Sequence, residues 1–230
     1  MMKPNELLDE AKTLQPQLQK WRRTIHRNPE VGFDLPKTKA LVKQALTEMG
    51  YAPQDCGRAG VLALAGGKRP GKTILLRGDM DALPIFEESG EVFASEVPGK
   101  MHGCGHDMHT AMMLGAAKLL KEHEDEIEGT VKLEFQPAEE IGQGARPLIA
   151  AGMLDGAQRV FGLHTASDLP AGTVGVKPGA NNAGVDHFII RIHGKSAHVS
   201  MPQLGVDALY IASQIVVAVQ GPVSYTHLRA

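Results

Sequence analysis

Several short polar segments of the sequence combine histidine, cysteine and carboxylate residues at spacings that suit a metal ion. The densest is HGCGHDMH at residues 102–109, in which one residue separates Cys104 from His106. In an extended loop, residues two apart face the same side, so this thiolate and imidazole can meet at one point. Zinc, nickel and cobalt favour such ligands, and Gly103 and Gly105 allow the backbone to bend close to an ion. The segment predicts a metal site rather than a buried cysteine among scattered histidines.

Two adjacent glutamates, Glu139 and Glu140, follow a predicted strand in the segment QPAEE. Adjacent acidic residues are usually solvated loop charges. Here they would share one rim of a sheet with Cys104 and His106. A hydrolytic metal site needs a ligand and also a nearby base that takes a proton from water. The pair can divide these two tasks.

Two more polar groups end predicted strands. His164 closes the segment RVFGLH, and a strand-end histidine alone is more often a core or surface residue than a ligand. The other clusters make ligation the favoured interpretation. Asp79 and Asp81 lie in RGDMD and point the same way if the chain is extended. One or both can orient a ligating histidine, and the alternative is a capped turn.

The elements that must position these residues indicate an α/β fold. Strands are predicted by apolar runs, which cover residues 61–65, 73–77, 130–135 and 159–163. Helices are predicted by helical apolar spacing, which covers residues 5–27 (interrupted near Pro16), 36–49, 107–122 and 144–151. From residue 73 the order strand, helix, strand, helix, strand predicts a mainly parallel sheet flanked by helices. Ligands collect at the carboxyl ends of the strands in such a sheet.

A strand over residues 186–193 and a helix over 205–220 are predicted next, and they begin a second domain. The bulk composition, with 43% hydrophobic and 22% charged residues, is ordinary for a globular protein. A net charge of −2 gives no reason to expect nucleic acid or a membrane surface as a partner. The N-terminus is polar, unlike a signal peptide, and two cysteines cannot form a disulfide framework. We therefore expect a cytoplasmic protein.

Six segments of the chain resemble one family of metal-dependent amidohydrolases. They are WRRTIHRNPEVGF, LLRGDMDALPI, MHGCGHDMHT, FQPAEE, GLH and GTVGVKPG. The family includes hippurate hydrolase, N-acetyl-diaminopimelate deacetylase and auxin-conjugate hydrolases, and it belongs to the metallopeptidase clan of aminoacylases and carboxypeptidase G. The resemblance runs from about Leu7 to about Gln220, and HGCGHD followed by PAEE is highly specific. It implies a zinc-peptidase-like catalytic domain that cleaves the linear amide bond of small N-acyl amino acids.

The resemblance also implies a role for each matching residue. The ligands of a centre with two divalent ions (Zn, Mn, Ni or Co) would be Cys104, His106, Glu140 and His164. Glu139 would be the general base, which takes a proton from metal-activated water and returns it to the leaving amine. Asp81 would support the metal site. His198 would hold the developing oxyanion in the active site of a partner subunit.

The same resemblance divides the chain. Residues 1–183 would form most of the catalytic domain, and residues 184–221 would begin a smaller α+β lid and dimerisation domain that builds a homodimer or homotetramer. Members of the family are longer and carry a final histidine ligand further along. Residues 222–230 match nothing expected of the family and are predicted to be non-native. The chain alone is expected to be poorly soluble and inactive.

Two alternatives remain open from the sequence. The first is a dipeptidase or carboxypeptidase of the same clan, although HGCGHD favours the amidohydrolase branch because peptidase branches commonly place an Asp-centred motif there. The second is a truncated metal-binding copy without activity. Intact Glu139 argues against this second alternative, and the missing family segment argues for it.

Overall fold

The computed structural model describes residues 4–182, 184 and 188–228. The chain is divided into two compact units, with the boundary between residues 171 and 172. The described residues of the first unit contain ten α-helices and β-strands, which are α1 Pro4–Thr13, α2 Gln15–Arg27, α3 Pro36–Glu48, β1 Gln54–Cys56, β2 Gly60–Gly66, β3 Thr73–Asp79, α4 His106–Glu122, β4 Thr130–Gln136, α5 Ala145–Ala150 and β5 Ala157–Gly162. The break between α1 and α2 confirms the interruption predicted near Pro16.

The five strands form one sheet in the order β1-β2-β4-β3-β5. β3 pairs in parallel with β4 and β5, whereas β2 runs antiparallel to both β1 and β4. The α/β sheet flanked by helices is confirmed, and its pairing is mixed. The connection from β2 to β3, residues 67–72, is too short for a parallel crossover, so β2 must run opposite to β3.

The main core lies between one face of the sheet and helices α3 and α4. Alternate residues of β4 point into it, and Leu133 and Phe135 are fully buried there against Leu114 of α4. Burying such side chains contributes about 1.5–3 kcal/mol each. This packing fixes α4 against the sheet, so its first turn lies at the carboxyl end of β3.

The second unit differs from its predicted elements. Residues 188–193 form no strand, and the other part of the predicted strand, 186–187, lies outside the described residues. Phe188, Ile189 and Ile190 are all more than half exposed. Alternation alone cannot form a strand without a neighbouring strand to accept its hydrogen bonds. The only long helix described here is α6, Ala208–Leu228.

Helix α6 begins later and ends later than the predicted helix over 205–220. It continues through Gly221 and Pro222. A proline inside a helix removes one hydrogen bond, and the bonds on both sides can keep the segment helical. No described helix is both long enough and apolar enough to cross a membrane.

One buried carboxyl group of the sheet should make the free energy of unfolding depend on pH. Glu134 in β4 is 0% exposed, and neither of its oxygens has a hydrogen-bond partner among the described residues. Burial raises its pKa to about 8; the positive charge of Arg77 opposes this shift, and the negative charge of Asp79 adds to it. The folded protein therefore holds a proton here at neutral pH that the unfolded chain has lost.

The sign of the resulting effect follows from that proton. The stabilisation by protonated Glu134 is complete below the unfolded pKa of 4.5 and is lost as the pH rises through about 8. We expect the free energy of unfolding to fall by up to about 1.4 kcal/mol per pH unit in this window from this group. Glu134→Gln should remove that slope in urea unfolding curves measured from pH 5 to 8.5. Exposed Glu128→Gln is the control, and equal slopes for wild type and Glu134→Gln would contradict the prediction.

Candidate metal centre

Cys104 and His164 are 60 positions apart in the sequence and meet in the structure. The Cys104 Sγ lies 3.2 Å from the His164 Nε2. His164 follows β5, and its Nδ1–H donates to the carbonyl oxygen of Thr165 at 2.7 Å. A carbonyl oxygen can only accept, so the lone pair of neutral His164 is on Nε2 and faces the sulfur.

His106, the first residue of α4, is completely buried. Its Nδ1–H donates to the backbone carbonyl of Asp81 at 2.8 Å. Its Nε2 has no hydrogen-bond partner among the described residues, although it lies 3.7 Å from a Glu139 oxygen and 3.8 Å from a Glu140 oxygen. These distances are too long for hydrogen bonds. A buried lone pair that faces carboxylates suits a cation placed between them.

The two glutamates are held by Asp81, whose side chain is fully buried. The backbone N–H groups of Glu139 and Glu140 donate to its two carboxylate oxygens at 2.9 and 3.2 Å. Ala138, just before them, has a φ of +54°, a left-handed conformation that costs a non-glycine residue about 1–2 kcal/mol. The turn directs the two side chains differently. The side chain of Glu139 is 39% exposed, whereas that of Glu140 is only 15% exposed.

The donor atoms of these residues fit a metal ion. Two groups each have their ligand atoms within 4.8 Å of one another, namely Cys104 with His106 and His164, and His106 with Glu139 and Glu140. Zinc binds sulfur at about 2.3 Å and nitrogen at about 2.0–2.1 Å, so two ligands of one ion lie up to about 4.4 Å apart. The predicted ligands are therefore brought together.

The electrostatics of the cluster also favour a cation. Burial raises the pKa of the Cys104 thiol to about 12, and the negative charge of Glu140 adds to the shift. Burial likewise raises the pKa of Glu140. Burial lowers the pKa of His106, but the nearby carboxylate of Asp81 and the charge of Asp79 outweigh it and leave that pKa raised. All three shifts come from a dry site with excess negative charge, which a divalent ion would neutralise.

The contact between Asp79 and His109, which lie near the centre, was not predicted from the sequence. The Nδ1 of His109 lies 2.6 Å from an Asp79 oxygen, and its Nε2 accepts the Thr165 N–H at 2.9 Å. Asp79, His106 and His109 also form a compact group of possible ligands, but His109 uses both ring nitrogens in hydrogen bonds. The available signal was the three-residue spacing of His106 and His109, which places them on one helix face.

His198 lies in the second unit and is exposed there. Its Nδ1 is 2.8 Å from the Ser200 hydroxyl oxygen and accepts the Ser200 N–H at 3.2 Å. These contacts are local, and the other six predicted site residues all belong to the first unit. Its predicted action in a partner subunit stays a prediction.

Gly144 controls the turn that carries the two glutamates. A Cβ atom added there would lie 1.7 Å from the carbonyl oxygen of Pro137. Since backbone must move to relieve this contact, Gly144→Ala should lower the free energy of unfolding by at least about 2 kcal/mol and weaken metal binding. Urea unfolding and zinc titration measure both effects. Gly184→Ala is the control because an added Cβ there meets no atom of the described residues within 4 Å, and equal behaviour of the two variants would contradict the expectation.

Thiol, imidazole and carboxylate donors at the strand ends of an α/β sheet are typical of metal-dependent hydrolases. Sequence comparison identifies the group more closely. Residues 75–227 match the sequence profile of the Peptidase family M20/M25/M40, and the chain belongs to this family.

The curated relatives include a deacetylase, a hydrolase and a carboxypeptidase. N-acetyl-L-cysteine deacetylase of Bacillus subtilis is 46% identical over 92% of this chain and 51% of its own length. The IAA-amino acid hydrolase ILR1-like 5 of Arabidopsis thaliana is 45% identical over 88% and 47%. Thermostable carboxypeptidase 2 of Saccharolobus solfataricus is 41% identical over 94% and 57%. The chain thus spans about half the length of these relatives.

A crystal structure of a Bacillus subtilis protein, described as a dinuclear metal-binding peptidase of the M20 family, resembles the fold. Its TM-score is 0.71 and its identity 44%, over 73% of this chain and 48% of that one. The likeness supports the α/β assignment.

Proposed function

We propose that this chain is the metal-binding part of a hydrolase that cleaves the amide bond of small N-acyl amino acids. The observation that carries the proposal is the convergence of thiol, imidazole and carboxylate donors on one point, with Glu139 beside them and more open to solvent. The names of the deacetylase and the IAA-amino acid hydrolase support this substrate class, since both act on N-acyl amino acids.

The residues proposed to hold divalent metal, of unspecified identity and up to two ions, are Cys104, His106, Glu140 and His164. When bound, such an ion supplies Lewis acidity and lowers the pKa of water from about 15.7 to about 7. The hydrogen bonds to Thr165 and to Asp81 fix His164 and His106 in the tautomers that present Nε2 to the centre.

Glu139 is proposed as the base. Its carboxylate takes one proton from water as the water oxygen attacks the amide carbon. It gives that proton to the nitrogen as the C–N bond breaks, so a carboxylic acid and a free amino acid result. Asp81 is proposed to support this step because it holds the backbone of both glutamates.

A carboxypeptidase of the same clan is the second candidate, and the 41% identity to a thermostable carboxypeptidase supports it. Both candidates cleave an amide beside a free carboxylate, and they differ in the group on the acyl side. A metal-binding copy without activity is the remaining alternative.

The wider organisation is also a proposal. Residues 1–183 would belong to the catalytic domain, residues 184–221 to a lid and dimerisation domain, and residues 222–230 to a non-native tail. His198 would stabilise the oxyanion in a partner subunit of a homodimer or homotetramer. The cytoplasm is the proposed location, which fits the two free cysteines.

The test uses two proteins. One is the 230-residue chain, and the other, the completed chain, joins residues 1–221 to the remaining half of the B. subtilis deacetylase. We expect both to bind zinc and only the completed chain to release product from hippurate and N-acetyl amino acids. Faster cleavage of a dipeptide would favour the carboxypeptidase. A completed chain without metal and without turnover of any amide would refute the proposed function.

A further inference from the structure

Asp79 and His109 form a buried pair beside the proposed metal ligands, and neither residue is one of those ligands. Asp79 ends β3 and is 1% exposed, and His109, the fourth residue of α4, is 2% exposed. One oxygen of Asp79 is 2.6 Å from the His109 Nδ1, and the other is 2.7 Å from an Arg77 guanidinium nitrogen. The pair is thus locked to the sheet, and the proposed chemistry leaves it without a role.

The protonation of the pair follows from its partners. The His109 Nε2 accepts the backbone N–H of Thr165 at 2.9 Å, so that nitrogen carries a lone pair. The proton of the neutral ring is then on Nδ1, where it is donated to Asp79. The Asp79 carboxylate therefore stabilises the tautomer of His109 that can accept a hydrogen bond from the Thr165 N–H.

Thr165 connects His109 to His164 through two backbone hydrogen bonds. Its N–H is held by His109, and its carbonyl oxygen accepts the Nδ1–H of His164 at 2.7 Å. The ring of His164 also packs edge-on against that of His109, with centroids 4.7 Å apart. Three hydrogen bonds in series thus connect Asp79 to the imidazole that faces Cys104.

The position of β5 explains why such an anchor matters. Among the described strands β5 pairs only with β3, and the last paired residues are Arg77 and Gly162. Val160 and Phe161 are each 54% exposed. His164 lies two residues beyond the ladder, where neither sheet pairing nor a packed core fixes it.

We propose that Asp79 and His109 are positioning residues that set the place and tautomer of His164. The inference rests on the proposed function in one respect, because it takes His164 to be a metal ligand. Residues that orient ligating histidines typically change metal affinity about ten- to a hundredfold when replaced.

Two substitutions of His109 separate its two hydrogen bonds. Glutamine places its amide oxygen near the position of Nε2, so His109→Gln can still accept the Thr165 N–H but loses the bond to Asp79. Asparagine places its amide near Nδ1, so His109→Asn keeps Asp79 but leaves Thr165 without an acceptor. The control is Thr110→Val, which removes a buried hydroxyl that donates to the backbone carbonyl of Asp79 at 2.8 Å.

The first measurement is a titration of the 230-residue chain with cobalt. Binding is monitored by the near-ultraviolet absorption of the cobalt–thiolate bond. We expect His109→Asn to bind cobalt about ten- to a hundredfold more weakly than wild type. His109→Gln should recover most of the affinity, and Thr110→Val should keep it despite any loss of thermal stability. Equal affinity for wild type and His109→Asn would overturn the inference, and so would His109→Gln binding no better than His109→Asn.

The second measurement needs no metal. Nitrogen-15 NMR of the metal-free chain should show His164 protonated on Nδ1 in wild type and in His109→Gln, and a mixture of tautomers in His109→Asn. The same tautomer in all three proteins would overturn the inference. If wild type fails to bind cobalt, the proposed function fails, whereas the tautomer measurement still decides whether the pair positions His164.

Discussion

Glu139→Gln in the completed chain should keep its bound metal and lose turnover by about 10²–10⁴-fold. The amide has the size of the carboxylate but cannot accept a proton from water, and proton transfer contributes a factor of this order. Metal should stay because Glu139 is the more exposed of the two glutamates and Glu140 is proposed as the ligand. Zinc content by elemental analysis and hydrolysis of N-acetyl amino acids measure the two quantities.

The adjacent residue provides a matched comparison. Glu140→Gln makes the same chemical change on the less exposed side chain, and it should weaken metal binding before it affects proton transfer. Glu128→Gln, on an exposed side chain that pairs with Arg69, is the control for loss of charge alone. If Glu139→Gln lost metal and Glu140→Gln kept it, the two roles would be exchanged.

Asp81→Asn should have the second large effect, on stability as well as on metal. The carboxylate accepts two backbone N–H groups, and hydrogen bonds to a charged group contribute about 1.5–3 kcal/mol each. An amide offers one oxygen and turns an NH₂ group toward the other N–H. We expect the free energy of unfolding to fall by about 3 kcal/mol or more in urea and zinc affinity to fall with it.

The control for this experiment is an exposed carboxylate with equally short contacts. Asp55 lies 2.8 Å from Lys43 and 3.2 Å from Lys39, and its side chain is 60% exposed. Such surface pairs contribute about 0–1 kcal/mol, so Asp55→Asn should change little. An Asp81→Asn protein as stable as Asp55→Asn, with unchanged zinc affinity, would show that the turn does not depend on this carboxylate.

The convergence of the predicted donors could be read from the sequence because each cluster follows an apolar run. The carboxyl ends of parallel strands β3, β4 and β5 meet at one edge, and Asp81, Glu139 and His164 lie just beyond them. The partnership of Asp79 with His109 could not be assigned, because the sequence does not say which of two acids meets which of three histidines. Only the packing of α4 on β3 decides that.

The fold shows a similar division between what was predicted and what was not. The alternation of β3, α4, β4, α5 and β5 was predicted, and the structure confirms it. Strand β1, with only three residues and no apolar alternation, gave no signal. The direction of β2 was missed even though the short link over residues 67–72 indicates it. Residues 188–193 were predicted from an alternating pattern, but they pair with no strand among the described residues, so the local pattern did not predict the tertiary pairing.

The distance along the chain between the site residues has a consequence for the order of folding. Cys104 and His164 are 60 positions apart, and Asp81 and Glu139 are 58. Closing loops of this size costs entropy that local contacts do not repay. In an unfolded chain a metal ion can find only near neighbours such as Cys104 and His106. Tight binding at the proposed site therefore requires that the β4-β3-β5 ladder be complete, and the rate at which high-affinity sites form should report the completion of this ladder.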